Sequence, residues 1–175
     1  NKNVKKVDKA MGELITKLKQ FNIFEETLFI ITADHGENLN EGSEGHGKDI
    51  IEDEFRIPCI IYKKGLIPKR TINNLTRSID LYPTILDLKK INKTNSIDGT
   101  SLRKSIFEEA EIIEEVFLES YPLYGDLKGI RTKDWLYKLK NEKEEELYDI
   151  NKDEKQKNNL SKNNKELCLN FKIKV

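Results

Sequence analysis

Apolar residues recur at three- and four-residue steps along the first eighteen positions, at Val4, Val7, Met11, Leu14, Ile15 and Leu18. This spacing predicts an amphipathic helix that carries its lysines on the opposite face. A short uninterrupted apolar run follows at Leu28–Ile31, and its β-branched residues predict a strand buried on both faces. Residues 57–62 form a second such run, in which Pro58 is compatible with a strand only at its start. The first third of the chain is therefore predicted to be a helix followed by two core strands.

The middle of the chain continues with helix and strand signals. Asp80 is suited to cap a helix over residues 81–91, in whose first turn Pro83 is tolerated. A short helix is predicted at 102–107, and residues 115–120 predict a third core strand. Helices and strands thus alternate over about the first 120 residues, which is typical of an α/β fold.

The pattern changes in the last quarter of the chain. Residues 135–140 alternate between apolar and polar side chains, and residues 129–132 and 146–149 form similar runs on either side. This period predicts an antiparallel meander with one solvent-exposed face. A polar stretch at 151–164 separates the meander from residues 167–175, which fit either a helix or a strand.

Two structural parts follow from these patterns: an α/β part at residues 1–122 and a small antiparallel subdomain with a polar tail at 123–175.

Composition excludes some functions. The 31 basic and 31 acidic side chains cancel, so no net field favours nucleic acid or an anionic membrane. The longest apolar runs, about six residues, are far shorter than the ~20 that a membrane span needs. We expect neither a nucleic-acid partner nor a membrane span in this segment, and we expect Cys59 to be a small core residue.

Both histidines of the chain, His35 and His46, fall in one glycine-rich stretch directly after the first predicted strand. If that strand is parallel, Asp34 and His35 emerge at its carboxyl end, where open α/β sheets bind ligands. A carboxylate and an imidazole are ordinary ligands of a divalent metal, and the glycines between positions 42 and 47 would let His46 fold back over the same point. The same residues also fit a structural interpretation, in which Asp34 caps a turn and His35 packs. The pattern alone leaves both interpretations open.

Longer stretches around this loop resemble a known family. The segments TLFIITADHGENL, GHG and EDEFRIPCIIY are similar to the second half of sulfatases of the alkaline phosphatase superfamily. RSIDLYPTILDL with IDGTSL, and GIRTKDWLYKL with EELYDINKDEKQKNNL, resemble the segments that come next in that family, so the resemblance covers residues 4–161. It implies an α/β fold that is part of an alkaline-phosphatase-like mixed sheet flanked by helices, plus a small C-terminal antiparallel sheet.

The resemblance also implies roles for individual residues. Asp34 and His35 match the family's downstream pair of metal ligands. His46 lies near the position of the side chain that contacts the sulfuryl group or protonates the leaving oxygen, and Lys48 is the neighbouring candidate for that catalytic role. The implied cofactor is a divalent metal ion, with calcium expected and zinc or manganese as alternatives. Four further charged residues in matching stretches are interpreted as loop-bracing or ion-paired side chains: Glu37, Glu44, Glu54 and Arg56.

The chain departs from the family in what it lacks. Sulfatases carry their nucleophile, a modified Cys or a Ser, in a Cys/Ser-x-Pro-x-Arg signature, and they draw two further carboxylate ligands from the same half of the protein. Neither Cys59, followed by Ile-Ile-Tyr, nor Cys168, followed by Leu-Asn-Phe, fits that signature. We therefore expect the C-terminal portion of a sulfatase-like hydrolase, which binds metal poorly and turns over little by itself because two ligands are too few for a tight site.

Hydrolysis of a sulfate ester, on a small-molecule or glycan substrate, is the function that the resemblance favours. Two alternatives stay open. One is a phosphodiester or phosphonate ester hydrolase, or a phosphoethanolamine transferase, on the same scaffold. The other is a non-catalytic truncated module. The sequence predicts neither a localisation nor an oligomeric state.

Overall fold

The computed structural model describes residues 2–39, 45–92, 96–120 and 126–175. The chain forms two compact units, one made of Asn1–Thr32 and Pro58–Lys69 and the other of Ala33–Ile57 and Arg70–Val175. Within the described ranges, no helix is long and apolar enough to cross a membrane.

The first unit contains one helix and a two-stranded sheet: α1 (Lys2–Gln20), β1 (Phe29–Thr32) and β2 (Cys59–Tyr62). These elements confirm the helix and the two strands that the apolar pattern predicts. The strands pair antiparallel, with Phe29 opposite Tyr62. Phe24 packs against both rings, at centroid distances of 5.3 Å and 6.1 Å. This aromatic cluster holds the turn after α1 against the sheet.

Two expectations about this unit are wrong. The strands are not buried on both faces, since Ile60 is 54% exposed, and Cys59 is exposed rather than in a core. β1 and β2 pair antiparallel, so this pair does not meet the condition of a parallel strand on which the argument for Asp34 and His35 was based. The sheet has only these two strands among the described residues, and a two-stranded sheet has too little surface to bury both sides. An apolar run therefore indicated the strands correctly but not the direction of their pairing.

The second unit is built on a four-stranded antiparallel sheet with the strand order β3-β4-β5-β6. Its strands are β3 (Glu115–Glu119), β4 (Leu127–Thr132), β5 (Trp135–Lys140) and β6 (Glu144–Asp149). Its helices are α2 (Glu52–Phe55), α3 (Leu81–Leu88), α4 (Arg103–Glu108) and α5 (Lys165–Lys172). The predicted strand at 115–120 and the meander are confirmed, and the last segment is a helix.

One face of this sheet packs against α5. Ile130, Tyr137 and Leu147 are fully buried there, together with Cys168 and Phe171 from the helix. The rings of Tyr137 and Phe171 lie 5.7 Å apart. Large side chains from neighbouring strands and one amphipathic helix are buried together here and form one core of the unit.

The opposite face is also buried, so the expectation of one solvent-exposed face is wrong. Leu136 and Tyr148 pack there with Ile50, and Phe55 of α2 adds to the cluster. The segment that contains Ile50 and α2 comes from a distant part of the sequence and covers the face that alternation assigned to water. This segment directly follows the loop with the two histidines, so the sheet provides a rigid support for that loop.

Asp80 ends a short 3-10 helix at residues 78–80, and α3 begins at Leu81, as predicted. The carboxylate of Asp80 does not cap α3, however. It is fully buried and accepts hydrogen bonds from the guanidinium and backbone N–H of Arg77 and from the backbone N–H of Thr100 at 2.8 Å. The side chain therefore joins α3 to the loop before α4 instead of stabilising the helix end.

Replacing Asp80 with asparagine should lower the free energy of unfolding by about 2 kcal/mol, because an amide NH₂ would face donors and the charge-assisted bonds to Arg77 would be lost. Urea unfolding followed by circular dichroism measures the change. Asp98→Asn, at an exposed position, is the control and should alter stability by less than about 0.5 kcal/mol. Equal effects of the two substitutions would contradict this role of Asp80.

Candidate active site

The loop after β1, called the histidine loop below (residues 33–48), is closed by an antiparallel bridge between Asn38 and Gly45. The N–H of Asn38 donates to the carbonyl of Gly45 at 3.0 Å, and the reciprocal bond is 3.2 Å long. Gly45 has a φ of +116°, a conformation that favours glycine. The bridge sets the preceding residue, Glu37, beside the following residue, His46.

The two imidazoles of the chain lie against each other in this loop. The rings of His35 and His46 are stacked with centroids 3.9 Å apart and an interplanar angle of 28°. Nδ1 of His46 is 3.4 Å from Oε1 of Glu37. Both histidine side chains are about half exposed, at 43% and 51%. Solvent and a ligand can therefore reach both rings.

Asp34 and His35 lie side by side at the end of β1. Oδ2 of Asp34 is 3.8 Å from Nε2 of His35, and Oδ1 accepts the backbone N–H of His35 at 3.0 Å. That backbone hydrogen bond lowers the pKa of Asp34. Nδ1 of His35 is 2.7 Å from the carbonyl oxygen of Gly36, and this contact, with the nearby carboxylates, raises the pKa of His35. The two side chains are exposed and close enough to reach one cation.

Glu54 of α2 ties the two arms of the loop together. Its backbone carbonyl accepts the N–H of Gly36 at 2.6 Å, and its carboxylate accepts the N–H of Gly47 at 2.6 Å. Glu54 is buried, so these bonds are shielded from water. The loop-bracing interpretation of Glu54 is confirmed.

Lys138 in β5 anchors the same segment to the sheet. Its side chain is only 4% exposed, and its Nζ lies 3.0 Å from Asp49 and 2.7 Å from Glu146. The ammonium group also lies 5.4 Å from the centre of the Tyr148 ring. Since Asp49 follows the histidine loop directly, this buried lysine fixes the end of the loop on the sheet. Nothing in the alternating pattern of β5 indicated that contact.

Three of the four residues predicted from the sequence are brought together, and the fourth is not. Asp34, His35 and His46 lie within one loop at the distances given above. Lys48 is exposed and, among the described residues, forms no hydrogen bond or ion pair with those three.

The remaining charged residues have different surroundings. Arg56 forms an ion pair with Glu154 at 2.9 Å, which confirms its interpretation as an ion-paired side chain. Glu44 lies outside the described residues. Glu37 was interpreted as bracing the loop, yet its carboxylate belongs to a group with both imidazoles in which one donor atom of each residue lies within 4.8 Å of the others. The spacing His35-x-Glu37 is the only sequence signal that could have indicated this, and it is a weak one.

Comparison with known proteins identifies the family. The Sulfatase model matches residues 1–91, and the model described as N-sulphoglucosamine sulphohydrolase, C-terminal, matches residues 47–174. A choline-sulfatase of Rhizobium meliloti (strain 1021) is 29% identical over 166 residues, which is 92% of this chain and 32% of that protein.

Solved structures agree with the family models. A structure described as BT4656 in complex with its substrate D-glucosamine-2-N,6-O-disulfate has a TM-score of 0.80 and 24% identity, and it covers 98% of this chain and 38% of its own. A phosphonate monoester hydrolase from Silicibacter pomeroyi has a TM-score of 0.77 and 27% identity, over 92% of this chain and 36% of its own.

The chain thus spans about a third of the length of each of these relatives. Its α/β architecture, with a mixed set of helices, a two-stranded sheet and a four-stranded antiparallel sheet, is the alkaline-phosphatase-like fold of its structural neighbours. The two family models together match residues 1–174. The chain belongs to the sulfatase family.

Proposed function

We propose that this chain supplies the metal-binding and leaving-group side of an active site that hydrolyses sulfate esters. The observation that carries the proposal is the exposed pair of Asp34 and His35, whose Oδ2 and Nε2 atoms lie 3.8 Å apart at the end of β1. Membership of the sulfatase family supports the reaction class.

The donor set fits a divalent metal ion. Asp34 offers an exposed carboxylate, and His35 offers Nε2 because its Nδ1 is engaged by the carbonyl of Gly36. A divalent cation bound there would neutralise charge that develops on the ester oxygens. The family resemblance favours calcium, whereas an imidazole ligand favours zinc or manganese, because calcium binds almost exclusively through oxygen.

His46 is proposed to donate a proton to the leaving oxygen. Its ring stacks on His35, so a proton donor stands directly beside the metal-binding pair, and imidazole is suited to this role near neutral pH. Lys48 is proposed to contribute positive charge near the sulfuryl group. Its exposed side chain would have to turn towards the loop when substrate binds.

The proposed substrate is a sulfated small molecule or glycan. One of the structural neighbours was solved with D-glucosamine-2-N,6-O-disulfate as its substrate, which supports a sulfated sugar. A second candidate is a phosphonate monoester, because a phosphonate monoester hydrolase is 27% identical to this chain.

Parallel assays of an aryl sulfate and an aryl phosphonate monoester, on the complete product of the reading frame that contains this sequence, test the proposal. We expect hydrolysis of the aryl sulfate that is lost with a chelator and restored by a divalent cation. Faster hydrolysis of the phosphonate monoester would favour the second candidate. Absence of turnover of both esters in the metal-loaded protein would contradict the proposed function.

A further inference from the structure

The short helix α2, which follows the histidine loop, is held in place by residues from distant parts of the chain. Nε of Arg131, in β4, donates to Oε1 of Glu52, the first residue of α2, at 2.6 Å. Gln156, from the segment after β6, accepts the backbone N–H of Glu52 and donates to the carbonyl oxygen of Ile50, both at 3.3 Å. A helix of four residues has almost no stability of its own, so these contacts determine where α2 lies.

The ion pair between Glu52 and Arg131 is shielded from solvent, since the two side chains are only 4% and 12% exposed. The guanidinium group also donates to the carbonyl oxygen of Thr132, and the carboxylate of Glu52 lies 3.9 Å from Nη1 of Arg56. A buried ion pair adds little net stability compared with apolar side chains of similar volume, because the cost of desolvation offsets the attraction. Its hydrogen bonds nevertheless require one particular geometry. We therefore expect this pair to fix the position of α2 more than it stabilises the fold.

α2 in turn contacts both arms of the histidine loop through Glu54. The backbone carbonyl of Glu54 accepts the N–H of Gly36, and its carboxylate accepts the N–H of Gly47, both at 2.6 Å. Gly36 directly follows His35, and Gly47 directly follows His46. A displacement of α2 would therefore move the backbone beside both histidines.

We propose that Arg131 is a positioning residue of the active site: its ion pair with Glu52 fixes α2, and α2 fixes the histidine loop with the ring of His46 against that of His35. Arg131 lies in β4, 79 residues after Glu52 in the sequence, and it acts only through Glu52 and α2. The inference goes beyond the proposed function and rests on that function only for its kinetic test.

The double variant Glu52→Met/Arg131→Met, made in the chain of this sequence, tests the structural part of the inference. Both charges are removed together, so neither side chain is left as an unpaired buried charge. We expect the midpoint temperature of thermal unfolding to change by less than about 5 °C. Nuclear Overhauser effects between the stacked imidazoles of His35 and His46 should be lost, because α2 no longer holds the loop.

Two control variants accompany this measurement. Glu52→Gln keeps a side-chain oxygen that can accept the N–H of Arg131 and should retain the imidazole contact. Arg70→Met/Glu109→Met removes another arginine–glutamate pair of the same unit, with a separation of 3.1 Å, and should also retain it. An unchanged imidazole contact in Glu52→Met/Arg131→Met would overturn the inference. Unfolding of that variant would overturn it as well, because the pair would then maintain the fold rather than the position of the loop.

A kinetic comparison, on the complete product of the reading frame, separates positioning from a loss of folded protein. The measurement is kcat/KM for para-nitrophenyl sulfate, whose leaving group needs little protonation, and for phenyl sulfate, whose leaving oxygen is more basic. If the double variant displaces His46, its loss on phenyl sulfate should be about tenfold larger than its loss on para-nitrophenyl sulfate. Equal losses on the two esters would contradict the positioning role. Absence of turnover in the unsubstituted protein would contradict the proposed function instead, and the imidazole contact would then decide the inference.

Discussion

Replacing Asp34 or His35 with alanine should reduce ester hydrolysis by at least about a thousandfold in the complete product of this reading frame. Each substitution removes one donor of the exposed pair at the end of β1. Charge stabilisation that depends on a bound divalent cation contributes several kcal/mol to the transition state, and each 1.36 kcal/mol corresponds to a factor of ten. The measurement is kcat/KM for an aryl sulfate, together with the metal content of each purified variant.

A graded pattern distinguishes the roles of the neighbouring residues. His46→Ala should slow turnover less, by roughly a hundredfold, because a proton donor to the leaving group contributes less than the metal-binding pair. Asp8→Ala removes an exposed carboxylate on α1 and should leave kcat/KM unchanged. Equal and mild effects of the Asp34, His35 and His46 substitutions would argue against the proposed roles of all three.

The proximity of Asp34, His35 and His46 could be predicted from the sequence because the cause is local. A strand followed by a short glycine-rich loop limits how far His46 can travel from His35, and the φ of +116° at Gly45 is the kind of conformation that glycine makes accessible. The proximity of the Glu37 carboxylate to His46 was not predicted. A glutamate in a polar loop has many possible partners, and only the bridge between Asn38 and Gly45 places its carboxylate beside an imidazole.

The errors in the sheets have a non-local cause. An apolar run such as β1 indicates that a strand is buried or half-buried. It does not indicate whether the neighbouring strand pairs with it parallel or antiparallel. Alternation in β5 suggested that Lys138 faces water. Its long side chain is instead buried between Asp49 and Glu146, and Asp49 is 89 residues away in the sequence. A lysine can be buried when its ammonium group is paired in this way.

The Gly36→Ala protein should lose on the order of 4 kcal/mol of stability, and its histidine loop should be displaced. A Cβ at this position would overlap the carbonyl oxygen of Asp53 and would lie 3.0 Å from its carbonyl carbon and 3.2 Å from Cα of Glu54. These are backbone atoms of α2, which cannot rotate away as a flexible side chain would. The N–H of Gly36 also donates to Glu54 at 2.6 Å, so any movement that relieves the overlap breaks that hydrogen bond.

Two measurements test this consequence of the Gly36 substitution. The midpoint temperature of thermal unfolding should fall by about 10 °C for a chain of this size. Nuclear Overhauser effects between the imidazoles of His35 and His46, whose ring centroids are 3.9 Å apart in the unsubstituted protein, should weaken. Gly12→Ala is the matched control: no heavy atom lies within 4 Å of its Cβ position in α1, and alanine in a helix interior should add about 0.5–1 kcal/mol. Both variants add the same methyl group. A loss of stability in Gly36→Ala together with a gain of stability in Gly12→Ala would therefore show that contact with α2 causes the loss. An unchanged imidazole contact in Gly36→Ala would instead show that α2 does not hold the loop in place.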